Sequence, residues 1–229
     1  MLGTFINTAT VIVGSSLGLA IGGKFSDRLQ KVSIQSVGLF TLIVGLRMAL
    51  SVSGIKESLI VLMSLTTGGI IGEILGIEDA MERLGRTLEN RYSKNTRSGL
   101  FTQGFVTASL LFCVGPMAIT GAIEDGMKGT YNILLTKSIM DGISSIVLSS
   151  SLGIGVVFSS IIVFIYQGAL TLIATLIGKS LSIGAINCLT ATGGLMVIGI
   201  GINLLGLGRI RVANLLPGLV IGGILGALL

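Results

Sequence analysis

The sequence predicts an all-α, polytopic integral membrane protein with about eight transmembrane helices. Three observations carry this reading. Hydrophobic residues make up 51% of the 229-residue chain and charged residues only 11%, with a mean hydropathy of +0.97, whereas a soluble domain holds roughly a quarter charged residues. Apolar runs recur from end to end at the length of about 20 residues that a bilayer requires. The 35 glycines lie along those runs at small-xxx-small spacing, which lets backbones approach closely in lipid and excludes a linker or collagen.

The spans follow in order. The first, about 4–22, has its basic residues after the apolar run, the wrong order for a cleaved signal peptide, and reads as a permanent span. Spans at about 34–53 and 58–76 follow. The segment 77–97 repeats Ile77, Met81, Leu84, Leu88 and Tyr92 at three- and four-residue steps, an amphipathic surface helix. Glu78, Asp79 and Glu82 open it and Arg91, Lys94 and Arg97 close it, matching the helix dipole. The fourth span, about 101–122, carries a Gly115-Pro116 break. The fifth, about 131–151, and the sixth, about 154–178, are divided only at Gly153-Ile154-Gly155. Spans at about 184–205 and 211–229 end a single transmembrane domain covering 1–229.

Charge placement agrees with eight spans. One side carries Lys24, Arg28, Lys31, the five basic residues from Arg83 to Arg97, Arg209 and Arg211. The other carries Lys56, Lys128 and Lys179. Cytoplasmic loops are enriched in Lys and Arg, so both termini are expected outside the cytoplasm. Seven spans would spoil the bias.

An internal repeat emerges from the glycines. Gly68-Gly69-Ile70-Ile71-Gly72 recurs as Gly222-Gly223-Ile224-Leu225-Gly226, and Gly38 and Gly45 match Gly194 and Gly201 at equal spacing. Three-helix units at about 1–76 and 154–229, separated by central spans at about 101–151, would then be antiparallel. Such inverted repeats recur in transporters.

Polar groups inside the spans are the candidates for chemistry. Pro116 removes a backbone donor, so its span is expected to kink or break, with freed carbonyls at Gly115 to Gly121 packed or facing a cavity. Glu124 and Asp125 follow, either as solvated loop residues or as a cation- or proton-binding pair. Lys137 and Asp141 stand one turn apart, with Ser138 beside them, and a self-neutralising pair is the cheapest way to keep charge in hydrocarbon. Asn7, Gln167, Asn187, Asn203 and Asn214 are candidate inter-helix hydrogen bonders. The chain has no histidine, which removes most triads and the commonest metal ligand. Cys113 and Cys188 read as buried free thiols. No enzyme activity, cofactor or nucleic-acid partner is expected.

The run FCVGPMAITGAIEDG, the following TKSIMDG, the opening GTFINTATVIVGSSLG and Gln167-Gly168 together resemble a prokaryotic membrane-protein family of uncharacterised activity, domain of unknown function 554 (YdfK/YqgA type). The resemblance covers essentially the whole chain and implies a bacterial or archaeal plasma membrane, with transport the presumed activity. By motif, Gly115, Pro116, Gly121, Asp125 and Gly126 match one signature, and Lys137, Ser138, Asp141 and Gly142 the other. The expectation is a transporter or channel for a small solute or ion. Its site would lie between the broken fourth span and the fifth, involving Gly115, Pro116, Gly121, Glu124, Asp125, Lys137, Ser138, Asp141 and Gln167. A homodimer is expected. The rival expectation is a membrane scaffold or sensor working through the amphipathic helix.

Overall fold

The computed structural model describes residues 1–22, 26–52, 54–92, 99–177 and 182–228. Lys24, Lys94, Arg97 and Lys179, counted in the charge bias, lie outside the described residues. Those described are all helical, without strands: α1 (Leu2–Gly22), α2 (Asp27–Ala49), α3 (Ile55–Leu75), α4 (Ile77–Tyr92), α5 (Leu100–Val114), α6 (Pro116–Lys128), α7 (Asn132–Leu152), α8 (Gly155–Ile177), α9 (Ile183–Leu205) and α10 (Leu216–Gly226).

Among the described residues six helices (α1, α2, α3, α7, α8 and α9) are long and apolar enough to cross a membrane, and α5 with α6, bent by 58°, makes a seventh if counted as one span. The segment expected as an eighth span is shorter, a 3-10 turn at Val212–Leu215 running into the 11-residue α10. Turn and helix together rise roughly 25 Å. Large apolar side chains such as Val13, Ile43, Leu62, Ile139 and Ile143 point outward on these helices, as a lipid solvent requires.

Local sequence explains the boundaries. Ser26 and Ser182 open α2 and α9 in the same way, each hydroxyl accepting from the amide three residues on, Leu29 and Ala185, which satisfies an otherwise orphaned helix donor. Gly76 and Gly206 close α3 and α9 in the left-handed conformation, at φ 64° and 70°. Gly153, at φ 80°, separates α7 from α8, so the fifth and sixth spans are distinct helices. The first turn of α4 holds Glu78 and Asp79, and its last turn Arg91.

The chain forms two compact units. The first comprises Met1–Val37, Glu82–Cys113 and Met117–Lys179. Here α1 lies along α7 at backbone contact. A Cβ on Gly14 would stand 2.5 Å from the Gly142 carbonyl oxygen, and one on Gly18 or Gly22 would overlap the carbonyl of Ile146 or Ser150. The contacts advance together, so α1 and α7 run parallel. Contacts with α8 run the other way: Thr4 meets Thr171 and Asn7 meets Gln167. Buried Phe101, Phe105 and Phe112 fill the interior. Glu89 of α4 accepts from the Gly99 amide and the Thr102 hydroxyl, both at 2.7 Å, at the start of α5.

The second unit comprises Gly38–Met81, Val114–Pro116 and Ser180–Leu229. The later half of α2 packs antiparallel on α9. A Cβ on Gly45 would lie 2.8 Å from the Gly194 carbonyl oxygen, and one on Gly194 would lie 2.7 Å from that of Gly45. In the same way α3 packs antiparallel on α10, Gly68 against Gly218 and Ser64 against both Gly218 and Gly222.

Candidate functional site

The polar groups of the first unit gather on one seam of α1. Its opening LGTFINTATV places Gly3, Thr4 and Asn7 on one face by helical spacing. Each meets a polar residue of another helix. The Gly3 amide donates to Asp125 Oδ2 of α6 at 3.2 Å, and the Met1 nitrogen lies 3.0 Å from Oδ1. The Thr4 hydroxyl shares a hydrogen bond with that of Thr171 on α8. Asn7 Nδ2 donates to Asp141 Oδ2 of α7 and to Gln167 Oε1 of α8, both at 3.1 Å.

Lys137 Nζ pairs with the same Asp141 Oδ2, one turn away on α7. Lys137 and Asp141 are 5% and 8% exposed, and Asn7 and Gln167 are fully buried. Asp141 Oδ2 therefore holds two donors, and both N–H groups of the Asn7 amide have acceptors. Two polar atoms are left over. Asn7 Oδ1 and Gln167 Nε2 are buried with no partner among the described residues, and each such atom costs about 1–3 kcal/mol.

The expected site residues divide. Asp125, Lys137, Asp141 and Gln167 come together on this seam through α1. Asp125 takes a specific part, since its carboxylate receives the first turn of α1, where backbone donors are unsatisfied and the dipole favours an anion. Glu124 beside it is half-buried, and its side chain makes no hydrogen bond or ion pair among the described residues. Ser138 donates to its own helix, to the Leu134 carbonyl at 2.6 Å. Gly121 lets α6 close on α7, where a Cβ would stand 2.9 Å from Leu134 Cδ2. The Gly115-Pro116 break is real, and these two residues belong to the second unit. There the Val114 carbonyl lies against Gly193, whose added Cβ would be 2.7 Å from it.

Thr4 and Thr171 were absent from the expected site, and Asn7 stood only among general hydrogen bonders. One signal was available: Thr4 and Asn7 share a helical face with Gly3, Gly14 and Gly18, the face that must lie against protein if the glycines pack.

A second polar cluster sits within the second unit. Arg211 pairs with Glu73 at the end of α3 and with Asp79 at the start of α4. Asn214 donates to Glu73 Oε2 at 2.5 Å and accepts from the Glu78 amide at 2.7 Å, while Glu78 Oε2 accepts from the Ala213 amide at 2.8 Å. Glu73, Arg211 and Asn214 border an open hollow of about 590 Å³ beside α3. The cluster clamps the 3-10 turn to the α3–α4 junction. Among the described residues no three His, Cys, Asp or Glu side chains converge as metal ligands, and both cysteines are buried free thiols.

Comparison with known proteins places the chain without naming an activity. Residues 2–227 match a family described as "Protein of unknown function (DUF554)". The chain is 32% identical to the Uncharacterized membrane protein YdfK of Bacillus subtilis (strain 168), over 96% of this chain and 93% of that one. It is 29% identical to the Uncharacterized protein YqgA of Escherichia coli (strain K12), over 96% and 94%. No solved structure matches.

Proposed function

The chain belongs to the DUF554 family, and from that premise we propose that it is a transporter or channel for a small solute or ion across the prokaryotic plasma membrane. The observation that carries the proposal is the buried seam of α1. A charged pair inside a spanning helix is extended by Asn7, Gln167, Thr4 and Thr171 and ends with two hydrogen-bonding atoms unspent. Ionisable groups inside a membrane are costly and mark solute pathways. A protein that only anchors a scaffold gains nothing from this cost. The site is drawn from α1, α6, α7 and α8, with Asp141 as its acidic group and Lys137 as counter-ion.

Helix direction supports counting α5–α6 as one crossing. With α5–α6 as one crossing, α1 and α7 are the first and fifth and should run parallel, as they do. If α5–α6 turned back within the membrane, α7 would run against α1. The inverted repeat gains support from reciprocity. At an offset of 156 residues Gly38 aligns with Gly194, Gly45 with Gly201 and the capping serine Ser26 with Ser182. A Cβ on Gly194 would lie 2.7 Å from the Gly45 carbonyl oxygen, and one on Gly201 would lie 3.1 Å from that of Gly38. A contact that recurs with the two repeats exchanged is what a two-fold axis produces. Both termini are proposed to face away from the cytoplasm.

The test is flux in liposomes holding the purified protein. Ion movement is read with a pH-sensitive dye under a valinomycin potential, and neutral-solute movement by light scattering. The protein should carry at least one class above protein-free vesicles, and Asp141→Asn should slow it roughly tenfold or more, about 1.4 kcal/mol of barrier. Wild-type rates equal to those of empty vesicles for every probe would overturn transport in favour of a scaffold.

A further inference from the structure

Resting on the transport reading above, we infer that the seam of α1 binds a small, neutral, hydrogen-bonding molecule, of the class of water, urea or a short polyol, at Asn7 and Gln167. The inference comes from what the site has left to offer. Asp141 Oδ2 already accepts from Lys137 and Asn7, and Gln167 Oε1 from Asn7. The buried atoms left without any partner here are one amide oxygen, Asn7 Oδ1, and one amide nitrogen, Gln167 Nε2, both in fully buried side chains.

Such a pair presents an acceptor oxygen beside an amide nitrogen with two N–H donors. A hard cation stripped of water asks for roughly six to eight oxygen ligands, and an anion is held by a net positive field. The seam supplies neither. Lys137 and Asp141 sum to zero charge whichever of them holds the shared proton, so the site attracts neither sign. The next groups along α1 are the Thr4 and Thr171 hydroxyls, which bond each other while Thr171 donates to the Gln167 carbonyl. A molecule moving along α1 therefore meets groups of mixed sense, and one carrying both a donor and an acceptor satisfies them in turn. A buried polar atom left unpaired is expensive, and this ligand removes that cost at both amides together.

The experiment uses the full chain in liposomes, with stopped-flow light scattering under gradients of sucrose (to read water), urea and glycerol, and with dye-reported proton, sodium and chloride flux in parallel. The variants are Gln167→Leu, which removes the donor, and Gln167→Glu, which keeps the shape while replacing the donor by an acidic oxygen. Both are checked for unchanged helicity and monodispersity, and the isosteric Gln167→Glu serves if Gln167→Leu does not fold. The expected result is water, urea or glycerol permeability above protein-free vesicles, falling to their background in the variants, with ion flux at background throughout. Ion flux that depends on Asp141, with neutral solutes at background, would overturn this inference and leave transport standing. Neutral permeation unchanged in both variants would overturn the assignment to Gln167. Background rates for every probe would overturn inference and transport together.

Discussion

Removing one charge of a buried pair is a different experiment from removing both. Lys137→Met leaves Asp141 buried with only the Asn7 amide to hold its charge, and an uncompensated buried charge costs roughly 3–5 kcal/mol. The double variant Lys137→Met/Asp141→Leu takes both charges away and leaves only one Asn7 N–H short of an acceptor, a smaller cost of about 1–3 kcal/mol. Thermal unfolding in detergent should therefore show a large fall in midpoint for the single variant and recovery of part of it in the double. Equal destabilisation in both would mean that the pair is no more than a packing element. Flux should stay lost in the double variant, because restored stability does not restore a polar path. The same residues show what one-dimensional reading yields. The Lys137–Asp141 pair was legible because its partners lie one turn apart. The binding of Asp125 and Asn7 into the same seam was not, since their partners are 122 and 134 positions away and nothing local announces them.

At the scale of elements, glycine decides how near two helices come, and its positions are not equivalent. A Cβ on Gly72 would fall on the Asn214 carbonyl, whereas none would touch anything within 4 Å on Gly115, whose φ is not positive. Gly72→Ala gains about 1 kcal/mol of helix propensity but must push the 3-10 turn away from α3. Overpacking of this kind costs about 1–3 kcal/mol, and the loss should loosen the Asn214–Glu73–Arg211 clamp as well. Gly115→Ala should be neutral or slightly stabilising, since it removes backbone freedom from the unfolded chain at a site with room. Unfolding midpoints of the two variants, measured side by side, check both. A fall for Gly115→Ala as large as that for Gly72→Ala would refute the distinction. Element boundaries were legible where serine, glycine or proline punctuates them, as at Ser182, Gly76 and Pro116. The short α10 was less so, because an apolar run reads the same whether it winds as one long helix or begins as a 3-10 turn.

For the whole molecule, the proposed inverted repeat makes a claim that no single helix makes: equivalent points in the two repeats lie on opposite sides of the membrane. Composition and apolar length made the all-helical membrane class legible at once, since both are sums over the chain. The proposed repeat rests on glycine spacing, because lipid-facing positions accept almost any apolar residue and would retain little memory of symmetry. The equivalent points best suited to a test are Ser26 and Ser182, which cap α2 and α9 identically and stand outside the spans. In a chain carrying Cys113→Ala and Cys188→Ala, Ser26→Cys and Ser182→Cys are introduced singly and exposed to a membrane-impermeant maleimide. With both termini outside, one crossing precedes Ser26 and six precede Ser182. Intact cells should therefore label Ser182→Cys and spare Ser26→Cys, and inside-out vesicles should reverse the pattern. The charge bias points the same way, with Arg28 and Lys31 following Ser26 on the strongly basic side. Labelling of both positions from one side would remove the inversion, and with it the expectation that a site forms where two antiparallel repeats meet. Reversed labelling in intact cells would keep the inversion and place both termini in the cytoplasm instead.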